Sequence, residues 1–472
     1  MTVGIFIFRR DFTIYDNLAL NDLFKIVDKV IPIFIYDPFQ IKPTKENKKY
    51  RSESSIQFMV ESLQDLDLQL KGKGSKLYIY YGKPWIIIDN LLKNNKDVVA
   101  VGYNGDFTKY SNIRDKKINS VCNKYDIEII VNNNFLTLHP IDSVLKNNEE
   151  PYLVFGAYYR NKVKKVENPH TSLKRFVGNS YNTGVKSVKI EFANKFYKYN
   201  QNLIRKGGRK NALKILKSIK KYKLYNTNRD LVSYQTTRLS GYLKFGCVTI
   251  REVYHSIKKS LSSRNDLLKQ LYWRTYYFIL EKYYFGKYQY GHINKKWNKI
   301  RWINSLRENK ALWSGNSGFP IIDASVRELI NTGYMNNRGR LMVANFAIKI
   351  LITNPFKGEY GGQNIFSKLL YDNCGANNYG NWLWSLGDLD FGGKRFGKAG
   401  TFGGRVFKDI IKFKKFDPKL EYIRLWIPEL DQVPDQDIFN WNTRYIEYKG
   451  VYKKPIVDFE ERVKLWYKLT KN

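Results

Sequence analysis

The chain has 472 residues and a formal charge of +38, from 81 Lys and Arg against 43 Asp and Glu. Aromatic residues at 16% exclude an intrinsically disordered chain, because disorder is aromatic-poor. The longest apolar runs, such as residues 4–8 and 31–36, are strand-length and exclude a helical membrane span, which needs roughly 20.

The chain opens with apolar residues before charged ones, the reverse of a secretory signal, so an intracellular protein, nuclear or cytoplasmic, is expected. Val3–Phe8 reads as a strand, followed by a helix-like stretch at 25–27 and a second strand at 30–36. Residues 54–70 place Ile56, Leu63, Leu66 and Leu70 at helical spacing. Further strands are expected at 77–81, 98–101 and 127–131. Continuous apolar strands alternating with helices predict a parallel sheet covered on both faces. Residues 1–135 are therefore assigned to an α/β, Rossmann-like domain.

Residues 136–200 are polar and weakly patterned and read as a long basic connector. Residues 201–472 read as an all-helical domain, with helices over 212–219, 323–330 (stopped by Gly333) and 341–352. Lys146 to Lys223 holds 20 basic residues against four acidic ones. A nucleic-acid partner and a lysine-rich coding bias both account for that excess. Three separated cysteines argue against a disulfide framework, and four scattered histidines show no metal-ligand spacing, so no metal is expected.

Two nucleotide motifs fail. Gly387-Asp-Leu-Asp-Phe-Gly-Gly-Lys394 places its lysine one position late and follows it with Arg395, where a phosphate loop needs Ser or Thr. No Gly-x-Gly-x-x-Gly follows the first strand.

The helical half instead carries a string of motifs: Thr236-Thr-Arg-Leu-Ser240, Gln270-Leu-Tyr-Trp-Arg274, Gly318-Phe-Pro-Ile-Ile-Asp-Ala324, Asn336-Asn-Arg338 with Arg340, Asp372 through Asn377-Asn378 to Trp382 and Trp384, and Phe416-Asp-Pro with Glu421-Tyr-Ile-Arg424. In this order and spacing they resemble the photolyase/cryptochrome flavoproteins, most of all the pyrimidine-dimer DNA photolyases. Phe8-Arg-Arg-Asp11 is similar to the family's first strand and loop.

The resemblance implies non-covalent FAD in the helical domain. It assigns cofactor contacts to Tyr225, Thr236, Thr237, Arg238, Leu239, Ser240, Gln270, Arg274, Asn337, Arg340, Asp372, Cys374 and Asn378. The hydroxyls of Thr236, Thr237 and Ser240 suit a pyrophosphate. Arg340 and Asp372 look like the family's ion pair beside the flavin, and Asn378 matches the residue facing flavin N5, where its amide is expected to donate. Gln270, Trp273, Asn337, Leu341 and Trp384 are the implied lesion contacts, the tryptophans as stacking walls. A second, antenna chromophore is implied in the α/β domain, where Asn104, Asp106, Tyr110, Arg114 and Asp115 resemble a family stretch that does not separate a folate from a deazaflavin.

The implied activity is light-driven splitting of cyclobutane pyrimidine dimers in DNA by a monomer; the alternatives are a cryptochrome-like light receptor, a (6-4) photolyase, or a nucleic-acid-binding flavoprotein with neither activity. The short terminus after Lys454-Pro-Ile-Val resembles that of photolyases. Four departures matter. Gln270 replaces a lesion-binding Glu; Asn336-Asn337 stand where (6-4) photolyases carry a His pair; Leu341 replaces a Met; and Cys374 replaces an Asp. A further gap lies in the tryptophan relay that re-reduces the flavin. Trp382 and Trp302 match its ends, but the middle falls at Pro355 beside Phe356, which predicts slow photoreduction unless a tyrosine substitutes.

Overall fold

Five apolar runs form one parallel sheet: β1 (Val3–Phe8), β2 (Lys29–Tyr36), β3 (Tyr78–Tyr81), β4 (Val98–Asn104) and β5 (Glu128–Asn132), in the order β3-β2-β1-β4-β5. The computed structural model describes residues 1–44, 51–162, 166–171, 174–288, 291–389 and 404–471. The phosphate-loop look-alike at 387–394 lies mostly outside them.

Strand residues alternate between two cores. Ile5, Ile7, Ile31 and Ile33 face the helices Pro84–Asn94 and Lys109–Lys124 through Ile88, Leu91 and Ile118. Phe6, Phe8, Phe34 and Tyr36 face Leu18–Leu23 and Glu53–Lys71, and that core runs on into the helical half through Tyr242, Phe245 and Tyr371. The sheet is buried on both faces, so its central strands show no polar alternation. The first helix differs from the sequence expectation. It spans Leu18–Leu23, started by Asn17 accepting from Leu20 N–H, and residues 24–26 are only its closing turn.

The described part of the connector is laced to both halves. Val30 pairs with Phe176 in a parallel bridge, and Val188 N–H donates to Ile79 O at 2.8 Å. On the other side Leu138 N–H donates to Thr275 Oγ1 and Tyr276 OH to Leu153 O.

In the helical half, Pro320–Thr332 ends on Gly333 at φ +65°, the left-handed cap the sequence called for. The expected helix at 341–352 is instead Asn337–Asn345 followed by a π-helical turn at Phe346–Ile350. The helix Asp266–Tyr283 approaches Gly375–Leu386 closely at Gly380, where any Cβ would overlap the Tyr277 ring. Among the described residues no helix is long and apolar enough to cross a membrane.

Candidate active site

The site forms where four segments meet. Tyr371 N–H donates to Gly333 O at 2.8 Å, which sets Asp372 beside the helix Asn337–Asn345. Arg340 Nη2 then meets Asp372 Oδ2 at 2.9 Å, and Ser240 Oγ donates to the same oxygen at 2.6 Å. Burial works to lower the Arg340 pKa, but the Asp372 carboxylate outweighs it and the guanidinium is held above its ordinary value. Arg340 and Arg238 both lie 5.3 Å from the Tyr334 ring. Tyr225 is buried nearby in the same core, and burial pushes its hydroxyl up to about 12.

The segment between them is an open set of donors. Arg238 adopts φ +52° and Leu239 φ −75°, a left-then-right-handed pair that turns successive N–H groups to one side. Among the described residues, the N–H groups of Thr236 through Ser240 meet no acceptor, and the Arg238 Nε is buried without a partner. Donors left open in this way, with Arg238 Nε buried among them, suit a diphosphate, so the chain's own residues fit the cofactor the sequence implies. Arg274 lies deeper, pulled down to about 10 by burial, with Nη2 donating to Leu243 O at 3.0 Å.

Asn378 and Trp382 lie one turn apart on Gly375–Leu386. Asn378 Nδ2 donates to both Gln363 O and Ser367 Oγ at 3.0 Å. A carbonyl can only accept, so Gln363 fixes the amide orientation. Both N–H groups are used, which leaves Oδ1 as the atom this side chain can offer a cofactor. The donor role expected from sequence would need this amide to leave one of these two acceptors. Trp382 is buried with Nε1 unpartnered, its ring against Gly362, where a Cβ would overlap it.

The lesion-side residues are more exposed. Asn337 is exposed at the first position of its helix, with Leu341 half-buried one turn on. Gln270 and Trp384 are half-buried, and Gln270 Nε2 has only a long 3.4 Å bond to Asp266 O. Trp273 is less free than expected. Phe155 stacks on one face at 3.6 Å, and Tyr277 lies 5.7 Å away. Phe155 lies 118 positions earlier, in a short apolar run inside the stretch read as connector, and nothing there points to Trp273.

A second cavity of about 290 Å³ opens where the sheet order reverses, at the carboxyl ends of β1, β2 and β4. Arg10, Arg51, Arg114, Asp37, Asp106 and Lys244 line it. Arg10 pairs with Asp106 at 3.0 Å and donates to Cys374 Sγ at 3.3 Å, across the domain boundary. Burial, with Arg10 close by, pulls the Lys244 amine down to about 7. Of the antenna-stretch residues, Arg114 pairs with Asp115, and Tyr110 stacks on Phe39. Asn104 also lines the cavity, with Nδ2 donating to Asp11 Oδ2 and Asn17 Oδ1.

Two family models match the chain: one described as DNA photolyase over residues 5–174, the other as the FAD binding domain of DNA photolyase over residues 267–472. A solved archaeal photolyase from Sulfolobus tokodaii is 32% identical, with a TM-score of 0.84 over 99% of each chain. The chain belongs to the photolyase/cryptochrome family. A deoxyribodipyrimidine photo-lyase of Alkalihalophilus pseudofirmus is 29% identical over 97% of this chain and 95% of its own length. A (6-4)DNA photolyase of Arabidopsis thaliana is 27% identical over 92% and 80%.

Within this photolyase/cryptochrome chain the sequence departures have structural counterparts. Asn336 is buried and caps its helix, accepting from Arg338 N–H at 2.8 Å. Only Asn337 of that pair is exposed. Cys374 caps Gly375–Leu386 without a side-chain hydrogen bond to it and lines the antenna-side cavity instead. At the expected middle position of the relay the ring belongs to Phe356 rather than Pro355: it lies 5.2 Å from Tyr379 and 5.3 Å from His292. His292 stacks on Trp302 at 5.8 Å with planes 1° apart. The tyrosine at the inner end of this chain of rings is Tyr379, on the helix that carries Trp382.

Proposed function

We propose that this chain binds FAD in the helical domain and, in light, splits cyclobutane pyrimidine dimers in DNA. The observation that carries the dimer reading is the state of Asn336 and Asn337. Position 336 is buried as a helix cap and position 337 is a neutral amide, so the lesion side offers no acid–base group there. Opening a cyclobutane ring with a loaned electron needs no proton transfer, whereas reverting a (6-4) product moves a hydroxyl between the bases and needs a group that gives and takes a proton. His292 stacks beneath Trp302 and His255 bonds to Glu167 O, so neither substitutes at 336–337.

When bound, FAD supplies light absorption and a one-electron donor. The residues around it bind and orient. Thr236–Ser240 offer N–H groups and hydroxyls to the diphosphate, Arg340 and Asp372 hold fixed charge at the ring, and Asn378 Oδ1 offers an acceptor. Buried Trp382 excludes water beside the ring. Asn337 and Gln270 offer amide donors and acceptors to the flipped bases, and Trp384 offers a face for stacking. Gln270 in place of Glu is the one feature that favours the receptor or (6-4) reading.

The cavity at the sheet switch point is proposed as the antenna site. Its arginines favour a phosphate-bearing chromophore. The Sulfolobus tokodaii photolyase is described with two FAD molecules, implying a novel light-harvesting cofactor, which supports a second flavin here. The function is tested with chemically reduced protein, light, and oligonucleotides carrying either a thymine dimer or a (6-4) product. Recovery of thymine absorbance on the dimer alone supports the reading. Recovery only on the (6-4) product replaces it.

A further inference from the structure

A third region is strongly basic, and its lysines have no role in the reading above. Between Glu191 and Asp230 the chain carries twelve Lys and Arg and no Asp or Glu. Part of this stretch folds into the helix Arg209–Lys217 and the 3-10 turn Ile219–Tyr222. Lys210, Lys214 and Lys217 recur at helical spacing along one exposed face, and Lys220, Lys221 and Lys223 extend it. Among the described residues none of these six lysines meets a carboxylate within ion-pair reach. Arg209 is the contrast. It points inward and pairs with Glu252 at 2.7 Å.

A cleft of about 640 Å³ opens beside this face, lined by Arg205, Lys206, Lys214, Lys221, Tyr222 and Tyr234 among others, with no carboxylate in its wall. Two donors in it, Arg205 Nε and Tyr234 OH, are buried without a partner. Buried donors normally find acceptors, so a cleft of cations with two open donors is built for an acceptor-rich anion. The two half-buried tyrosine rings add surfaces on which a base can stack. The positive face continues along the helix beyond the cleft, further than a single nucleotide reaches, which favours a polymer. None of the lining residues belongs to the cradle formed by Thr236–Ser240, Arg340, Asp372 and Asn378.

We infer that this cleft and the lysine face beside it bind the phosphate backbone of a single nucleic-acid strand, apart from the lesion pocket. The site goes beyond the repair reading and does not depend on it.

The test is binding in the dark. Flavin-loaded protein is titrated with an undamaged oligothymidylate of about twelve nucleotides across a series of salt concentrations, by fluorescence anisotropy. The comparison is with Lys214→Glu/Lys217→Glu/Lys221→Glu, with the same three positions changed to Gln, and with Tyr234→Phe. Losing three phosphate contacts is expected to reduce the slope of log affinity against log salt by about two, at roughly 0.7 per contact. Tyr234→Phe should weaken binding without changing that slope. The ratio of dimer-containing to undamaged affinity on duplex DNA should stay unchanged. An unaltered slope in both triple variants overturns the proposal. So does ADP binding as tightly as the oligonucleotide, which would make the cleft a nucleotide pocket. Loss of FAD from Tyr234→Phe with strand binding intact also overturns it, assigning the cleft to the flavin. Because the oligonucleotide is undamaged and unlit, a protein that repairs nothing can still pass.

Discussion

The flavin cradle and the electron path share the helix Gly375–Leu386 and are built differently. In the cradle the ring-side polar groups are answered within the chain, Ser240, Arg340 and Asp372 closing on one another while Gln363 and Ser367 fix the Asn378 amide, and the Thr236–Ser240 N–H groups are left open. The path is a run of rings, Tyr379, Phe356, His292 and Trp302, with redox-silent Phe356 where a tryptophan would serve. We propose that the chain is well equipped to hold a flavin and poorly equipped to refill it with electrons along this run of rings. Stability and cofactor content should therefore respond to the cradle, and photoreduction rate to the path.

The largest effect is expected from Asp372→Ala. It leaves the Arg340 guanidinium without its carboxylate in a mostly buried position, at a cost of about 3 kcal/mol, the low end for breaking a buried pair because Arg340 keeps some exposure. Flavin absorbance per protein should collapse, and full retention would show the pair is incidental. Next is Gly362→Ala, whose methyl would overlap the Trp382 ring. Overpacking of this kind costs about 1–3 kcal/mol, read as a lower Tm, and an unchanged Tm would mean the ring moves freely.

A comparable effect lies outside both regions. Burial pushes the Asp417 carboxyl up to about 6, although Ile423 and Tyr422 N–H groups donate to it. Its folded value lies above the unfolded one of about 4, so the folded chain keeps the proton longer. That stabilisation, about 3 kcal/mol, is full below about pH 4 and is lost as pH rises through 6. Asp417→Asn should flatten the stability profile between pH 4 and 6, and an unaltered profile would assign the slope to other groups. The smallest effect on stability, and the sharpest on the path, is expected from Phe356→Trp. Thiol-supported photoreduction of the bound flavin should speed up several-fold, and Tyr379→Phe should slow it further. Equal rates in all three proteins would mean electrons enter elsewhere.

The sheet was legible because its strands are continuous apolar runs whose spacing leaves one architecture. The cradle was legible as a set of residue types, since its motifs stand in order along the chain. What escaped depends on partners distant in sequence. Arg10 reaches Cys374 across 364 positions. Phe155 covers Trp273, and the direction of the Asn378 amide is set by Gln363 and Ser367 on the neighbouring helix. Two local misreadings have local causes. Asn17 starts a helix as a cap, a signal eclipsed by the apolar residues after it, and the π-turn at Phe346–Ile350 keeps the apolar spacing of an ordinary helix.

The most direct test follows repair of a thymine-dimer oligonucleotide in continuous light from two starting points, flavin chemically reduced and flavin oxidised, with the same thiol present. The reduced sample is expected to restore thymine absorbance at once, and the oxidised sample only after a long lag that Phe356→Trp shortens. No recovery from the reduced sample would contradict dimer repair, and immediate recovery from the oxidised one would contradict the broken path.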